Sequence, residues 1–92
     1  MWNRTENDFG QVEEGSTLNT TFFYKGSKEI KLIEPKCNCT SFTMENNTLF
    51  VTWKIAVKHW SRRLSTYLTV VYIDDSITDL TLKADVRCTT KS

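Results

Sequence analysis

Apolar residues in this chain recur at every second position over three windows, and that period constrains the fold more than any other feature. From Leu49 to Val57 the apolar set is Leu49, Val51, Trp53, Ile55 and Val57, with Thr52 and Lys54 among the residues between them. Leu68, Val70 and Tyr72 repeat the pattern, and Leu80, Leu82, Ala84, Val86 and Cys88 repeat it over a longer run. Successive side chains of a strand point to opposite faces, so each window reads as a half-buried strand. Asp74-Asp75-Ser76 joins the last two as a hairpin, because Asp tolerates turn conformations and bonds its own backbone. Upstream, Leu18, Thr20, Phe22 and Tyr24 alternate after the turn-like Glu13-Glu14-Gly15. Lys25-Gly26-Ser27 then turns the chain into a strand from Lys28 to Ile33, which Pro35 closes or leaves at a sheet edge. A shorter strand from Cys37 to Thr43 is bounded by Glu45-Asn46-Asn47. Turn signals spaced by roughly 8 to 12 residues are those of an all-β sandwich. The one helical turn the pattern allows is around Lys58 to Arg63, with Arg62 and Arg63 in a loop. Trp53, Ile55, Leu68, Val70, Leu82 and Val86 are expected to share one core.

Composition narrows the function classes by exclusion. A length of 92 residues gives one domain, expected over 1–92 with its core from about residue 9 to 88. Apolar residues at 39%, a single Pro and 3 Gly argue for a folded chain and against disorder or collagen. Twelve Lys and Arg against 11 Asp and Glu leave +1, so no global field recruits nucleic acid or an anionic membrane. The N-terminal Trp2-Asn3-Arg4-Thr5-Glu6 has no apolar run of the kind a secretory signal needs. The longest apolar stretches fall far short of the roughly 20 residues of a membrane-spanning helix. The expected location is therefore a virion or the host cytoplasm, with the periplasm or cell envelope as the alternative if a leader has been removed. Four Asn-x-Ser/Thr triplets, at Asn3, Asn19, Asn38 and Asn46, are read as chance products of a Thr- and Ser-rich chain.

The order of local motifs adds a resemblance. Phe9-Gly10-Gln11-Val12-Glu13-Glu14-Gly15 is similar to an opening F-G-x-V-x-x-G, and Cys37-Asn38-Cys39-Thr40 to a following C-x-C-T. Between them lie an aromatic strand, Thr21-Phe22-Phe23-Tyr24, and the turn Lys25-Gly26-Ser27. Val70 to Asp75 resembles a V-x-V-x-(S/N)-D hairpin, and Leu80 to Val86 a closing L-x-L-x-G-x-V. Together these resemble a bacterial family of unknown function made of short immunoglobulin-like domains, related to Ig-like modules of spindle and cilium proteins and to the major sperm protein. Asn38 stands where that family usually has Gly, and the Pro-rich stretch after its C-x-C-T is cut here to Ser41 to Asn47. The resemblance implies a single immunoglobulin-like antiparallel β-sandwich of about seven strands, and no activity.

Few residues invite chemistry. The three cysteines, Cys37, Cys39 and Cys88, are an odd count with three readings. They serve as small buried apolar residues near a sheet edge, or one of Cys37 and Cys39 bridges to Cys88 across the sheets, or they bind metal. Cys37 and Cys39, placed on one face of a strand, are expected not to bridge each other, since that closes a small strained ring. The metal reading lacks a fourth soft ligand, as His59 is the sole histidine and lies far along the chain. No nucleophile elbow, phosphate-cradling Gly-rich loop or His-Glu-x-x-His is present, and no cofactor is implied. Asp74 and Asp75 are better used as a turn than as a carboxylate pair. Lys54, Lys58, Arg62 and Arg63 around His59 and Trp60 read as a solvated strand face rather than a nucleic-acid grip. Trp60, flanked by His59, Arg62 and Arg63, has instead the composition of a protein contact, with a fold-back that caps the open end of the sandwich as the alternative.

The expectation is a non-enzymatic structural or binding module that docks, in one or more copies, on a protein partner in a larger assembly. A bacteriophage or virus-particle accessory, such as a capsid decoration or neck component, is the leading choice because Ig-like folds recur on virion surfaces. A bacterial cell-envelope adhesion or scaffold domain is second, and a small metal-thiolate or redox protein using the cysteines is third.

Overall fold

A computed structural model of the chain describes residues 2–88; Met1 and residues 89–92, included in the single-domain expectation, lie outside the described residues. Seven strands alternate with turns: β1 (Glu6–Glu13), β2 (Thr17–Phe23), β3 (Ile30–Pro35), β4 (Thr40–Glu45), β5 (Thr48–Lys54), β6 (Arg62–Tyr72) and β7 (Ile77–Arg87). They form a four-stranded sheet in the order β1-β7-β6-β3 and a three-stranded sheet in the order β2-β5-β4. Apart from β1, these are the two sheets of a seven-stranded immunoglobulin sandwich, the first strand having moved from the β2 sheet to the edge beside β7.

The period-2 windows account for the core. Leu49, Val51, Trp53 and Ile55 from one sheet face Leu68, Val70, Tyr72, Leu80, Leu82, Ala84 and Val86 from the other, and all are buried. The six residues expected to share a core do so. Pro35 ends β3, an edge strand, where its missing N–H leaves no ladder bond unmade. Asp75, at φ 69°, makes the β6–β7 turn left-handed.

Four expectations need correction. First, Glu6–Glu13 is a strand, and it runs parallel to β7, so the sandwich is not wholly antiparallel. Its alternation is interrupted at Gly10, whose φ of 71° sits where the register shifts between Asp8 and Gln11. Asp8 Oδ1 accepts the Gly10 N–H at 2.8 Å and holds that bulge. Second, Cys37 to Cys39 is a turn, closed by the Thr40 N–H on the Cys37 carbonyl at 3.2 Å, and β4 begins only at Thr40. Third, no helical turn forms around Lys58 to Arg63, because Arg62 and Arg63 already pair with Val86 and Asp85 at the head of β6. Fourth, β7 stops at Arg87, so Cys88 lies just past the strand.

Candidate functional site: the β5–β6 loop and the cleft beside it

Loop 55–61 leaves the core at Ile55 and returns at Arg62, and its shape is set by one ion pair beneath it. Glu14, directly after β1, meets Arg62 Nη1 through Oε2. The Glu14 side chain is only 2% exposed and that of Arg62 10%. Neither charge is left to the partner alone. Glu14 accepts the backbone N–H of Lys58 at 2.7 Å and of His59 at 3.0 Å. Arg62 donates to the carbonyls of Ala56 at 2.7 Å and Trp60 at 3.0 Å. The pair thus fills the loop and satisfies backbone groups that have no sheet to join, the condition under which buried charge is tolerated. Burial pushes the Glu14 carboxyl up, but hydrogen bonds from Arg62, the two backbone N–H groups and the Cys88 thiol outweigh it and hold the group at about 2.

Two further residues fit the loop to its support. Gly15 has φ 78°, and a Cβ there would lie 3.3 Å from Val57 Cγ2. The loop is stitched to it through Gly15 N–H on the Ile55 carbonyl at 3.0 Å and Ile55 N–H on the Ser16 carbonyl at 2.9 Å. His59 takes φ 63°, an uncommon value for a non-glycine residue, while its N–H is fixed on Glu14.

Trp60 is displayed at this site, 59% exposed, with the Arg62 guanidinium carbon 5.7 Å from its ring centroid. His59 and Arg63 are exposed too, and Arg63 reaches Asp8 at 3.7 Å. Of the four contact candidates, Arg62 alone points inward, so its charge is spent on Glu14 and the loop. Glu14 carries the site, although in the sequence Glu13-Glu14-Gly15 signals only a turn. Its partner lies 48 residues away, and no local pattern encodes it.

Beside the loop lies a cleft of about 450 Å³ between the end of β5 and the start of β6, roofed by the Cys37 turn. Cys37 and Cys39 are joined by a disulfide with Cα atoms 5.2 Å apart, which corrects the expectation that these two would not bridge each other. The objection to a ring this small assumed an extended strand; a turn brings the two residues close enough. Cys88, half-buried, hydrogen-bonds Glu14 through its thiol. A bridge enclosing three residues restrains the unfolded chain by only about 1.6 kcal/mol on the loop-entropy model, so it staples little. Trp53, Ala56 and Leu64 form the apolar wall of the cleft, and Lys36, Lys54, Lys58 and Arg62 surround it. Thr66, also lining it, is 6% exposed, and its Oγ1 has no hydrogen-bond partner.

Among the described residues, no three His, Cys, Asp or Glu side chains gather in a metal-binding group. No protein-family model matches the chain, and no curated protein matches it significantly.

Proposed function

We propose that this chain is an Ig-like binding module that docks on a larger protein assembly through loop 55–61. The observation that carries this reading is the rigid presentation of Trp60. Its loop is tied by four backbone hydrogen bonds to the buried Glu14–Arg62 pair, so the backbone that carries the exposed indole is held in place before any partner arrives. A pre-ordered aromatic anchor avoids much of the entropy cost of binding, and Trp is enriched at binding hot spots. Lys58, two residues before it in the same loop, forms no ion pair among the described residues, so the fitting partner offers an apolar pocket with an acidic rim.

A virus particle is the assembly this reading favours, by analogy with Ig-like folds on virion surfaces, and a bacterial cell envelope is second. The Cys37–Cys39 disulfide is compatible with both, since disulfides persist on virion and cell surfaces. The motif residues Phe9, Gly10, Val12, Gly15, Cys37 and Cys39 are the grounds for placing the chain with the short bacterial Ig-like domains. Probing purified particles and envelope fractions with an antibody to the chain separates the two assemblies. Trp60→Ala tests the surface: lost co-sedimentation at an unchanged unfolding midpoint is expected. Retained co-sedimentation with a lowered midpoint makes Trp60 a cap on the sandwich and ends the proposal.

A further inference from the structure

We infer that the Cys37–Cys39 disulfide exchanges with thiols, and that the lysine-ringed cleft beside it selects thiols carrying a negative charge. This is a chemical activity separate from docking: it rests on the two sulfurs, and it shares the cations Lys58 and Arg62 with the docking loop. The disulfide lines an open cleft instead of being enclosed in the core, and both cysteines are half-buried at a turn that reaches the surface. It joins residues two apart, so opening it releases little chain and leaves the sheets paired. A bridge that staples little and faces a cleft has the properties of an exchangeable disulfide more than a structural one.

The charge around it is of one sign. Lys36, Lys54, Lys58 and Arg62 line the cleft and no Asp or Glu does. Glu14 neutralises Arg62, whereas Lys36, Lys54 and Lys58 form no ion pair among the described residues. Exchange begins with a thiolate, and cations near the sulfur stabilise both the arriving thiolate and the one displaced. The wall also holds an unmet polar group: Thr66 lines the same cleft, and its buried Oγ1 has no hydrogen-bond partner. Trp53 and Leu64 offer an apolar wall to the body of the same molecule.

The step balances with the groups present. A substrate thiolate attacks Sγ of Cys37 or Cys39, a new S–S bond forms, and the Cys37–Cys39 bond breaks with its electron pair leaving on the other cysteine. A second substrate thiolate attacks the substrate sulfur of the mixed disulfide and frees the remaining cysteine as thiolate. Two substrate thiols are oxidised to a disulfide, the protein disulfide is reduced, and the two thiol protons end on Cys37 and Cys39.

The test uses two thiols of similar size and opposite charge, 2-mercaptoethanesulfonate and cysteamine, at matched thiolate concentration and low salt. Reaction is quenched by alkylation and followed by mass. The anionic thiol is expected to react about tenfold faster or more, with the gap shrinking at high salt. In Lys54→Gln/Lys58→Gln the gap is expected to narrow severalfold while the circular dichroism spectrum stays that of the parent. A disulfide that resists both thiols in the folded protein overturns the exchange. Equal rates, or a gap that the double substitution leaves unchanged, overturn the selection.

Discussion

β6 connects two ends of the sandwich that each hold a carboxylate against a cation, yet the two pairs do different things. At its start, Glu14 and Arg62 are almost wholly covered and carry loop 55–61 on their hydrogen bonds. At its end, Asp74 meets Lys28 at 3.0 Å with side chains 49% and 53% exposed. Asp74 also accepts the Ser76 hydroxyl at 2.6 Å and the Ser76 N–H at 3.1 Å, which shapes the hairpin turn. Ser76 first, then Lys28, holds the Asp74 carboxyl below the usual range, while Asp74 raises Lys28. Packing at this second end rests on rings instead of charge. Trp2 lies 5.0 Å from Tyr24, Tyr24 lies 5.8 Å from Tyr72, and Trp2 Nε1 donates to the Tyr72 hydroxyl at 2.8 Å. The contrast teaches that a lowered carboxyl pKa does not by itself mark structural weight. Solvent access decides, because water replaces a partner lost at the surface and cannot replace one lost beneath a loop.

The largest effect that sharpens this contrast is at Arg62. Arg62→Met leaves the Glu14 carboxylate buried without its cation, and the thermal midpoint is expected to fall by roughly 10 °C or more. A drop no greater than that of Asp74→Asn breaks the comparison. The acid limb comes next. Glu14 is held at about 2 in the folded protein against an ordinary 4.5, so its contribution is complete above pH 4.5 and is lost as pH falls towards 2. Glu14→Gln, followed by urea unfolding across that interval, is expected to flatten the pH dependence; an unchanged slope assigns the acid limb to other groups. At the ring-lined end, Tyr72→Phe removes the acceptor of the buried Trp2 N–H and the donor to Thr78 Oγ1. The expected cost, read from denaturant midpoints, is about 1 to 3 kcal/mol. Smallest is Asp74→Asn. It is expected to move the midpoint slightly at low salt and not at all in 1 M salt, where an exposed pair is screened. Lys28, raised above 10.5 by Asp74, adds stability that is complete below pH 10.5 and fades as pH climbs through its folded value, so Lys28→Met is expected to remove that alkaline dependence and to weaken the acid one that Asp74 contributes.

What could be read from the sequence divides along the same line. Alternation is a local signal, so the sheets, the core from Trp53 to Val86 and the Asp74 turn were legible, and so was Trp60, left over between two strands. β1 was not, since the bulge at Gly10 breaks its period and its partner strand lies more than 70 residues on. The Cys37–Cys39 bridge is not legible either, because cysteines two positions apart on an extended strand do not meet, and only the turn closed by Thr40 brings them together. Glu14 was hidden most completely. Nothing near Glu13-Glu14-Gly15 announces a buried charge, and its meaning comes from Arg62 and from backbone groups of a loop across the fold.

The parallel pairing of the first and last strands also has a mechanical consequence. β1 and β7 run side by side from Glu6 against Thr81 to Glu13 against Arg87, with one shift at the Gly10 bulge. Tension applied through residues 6 and 87 pulls the two strands along their lengths in opposite directions, so the ladder bonds share the load in shear instead of opening one after another as a zipper would. Stretched that way in a single-molecule pulling experiment, the domain is expected to yield at higher force than when it is pulled through residues 62 and 86, which pair at the open end of the β6–β7 hairpin. That hairpin then peels bond by bond towards its turn. Loaded along this axis, the domain therefore resists as one unit until the whole edge slips.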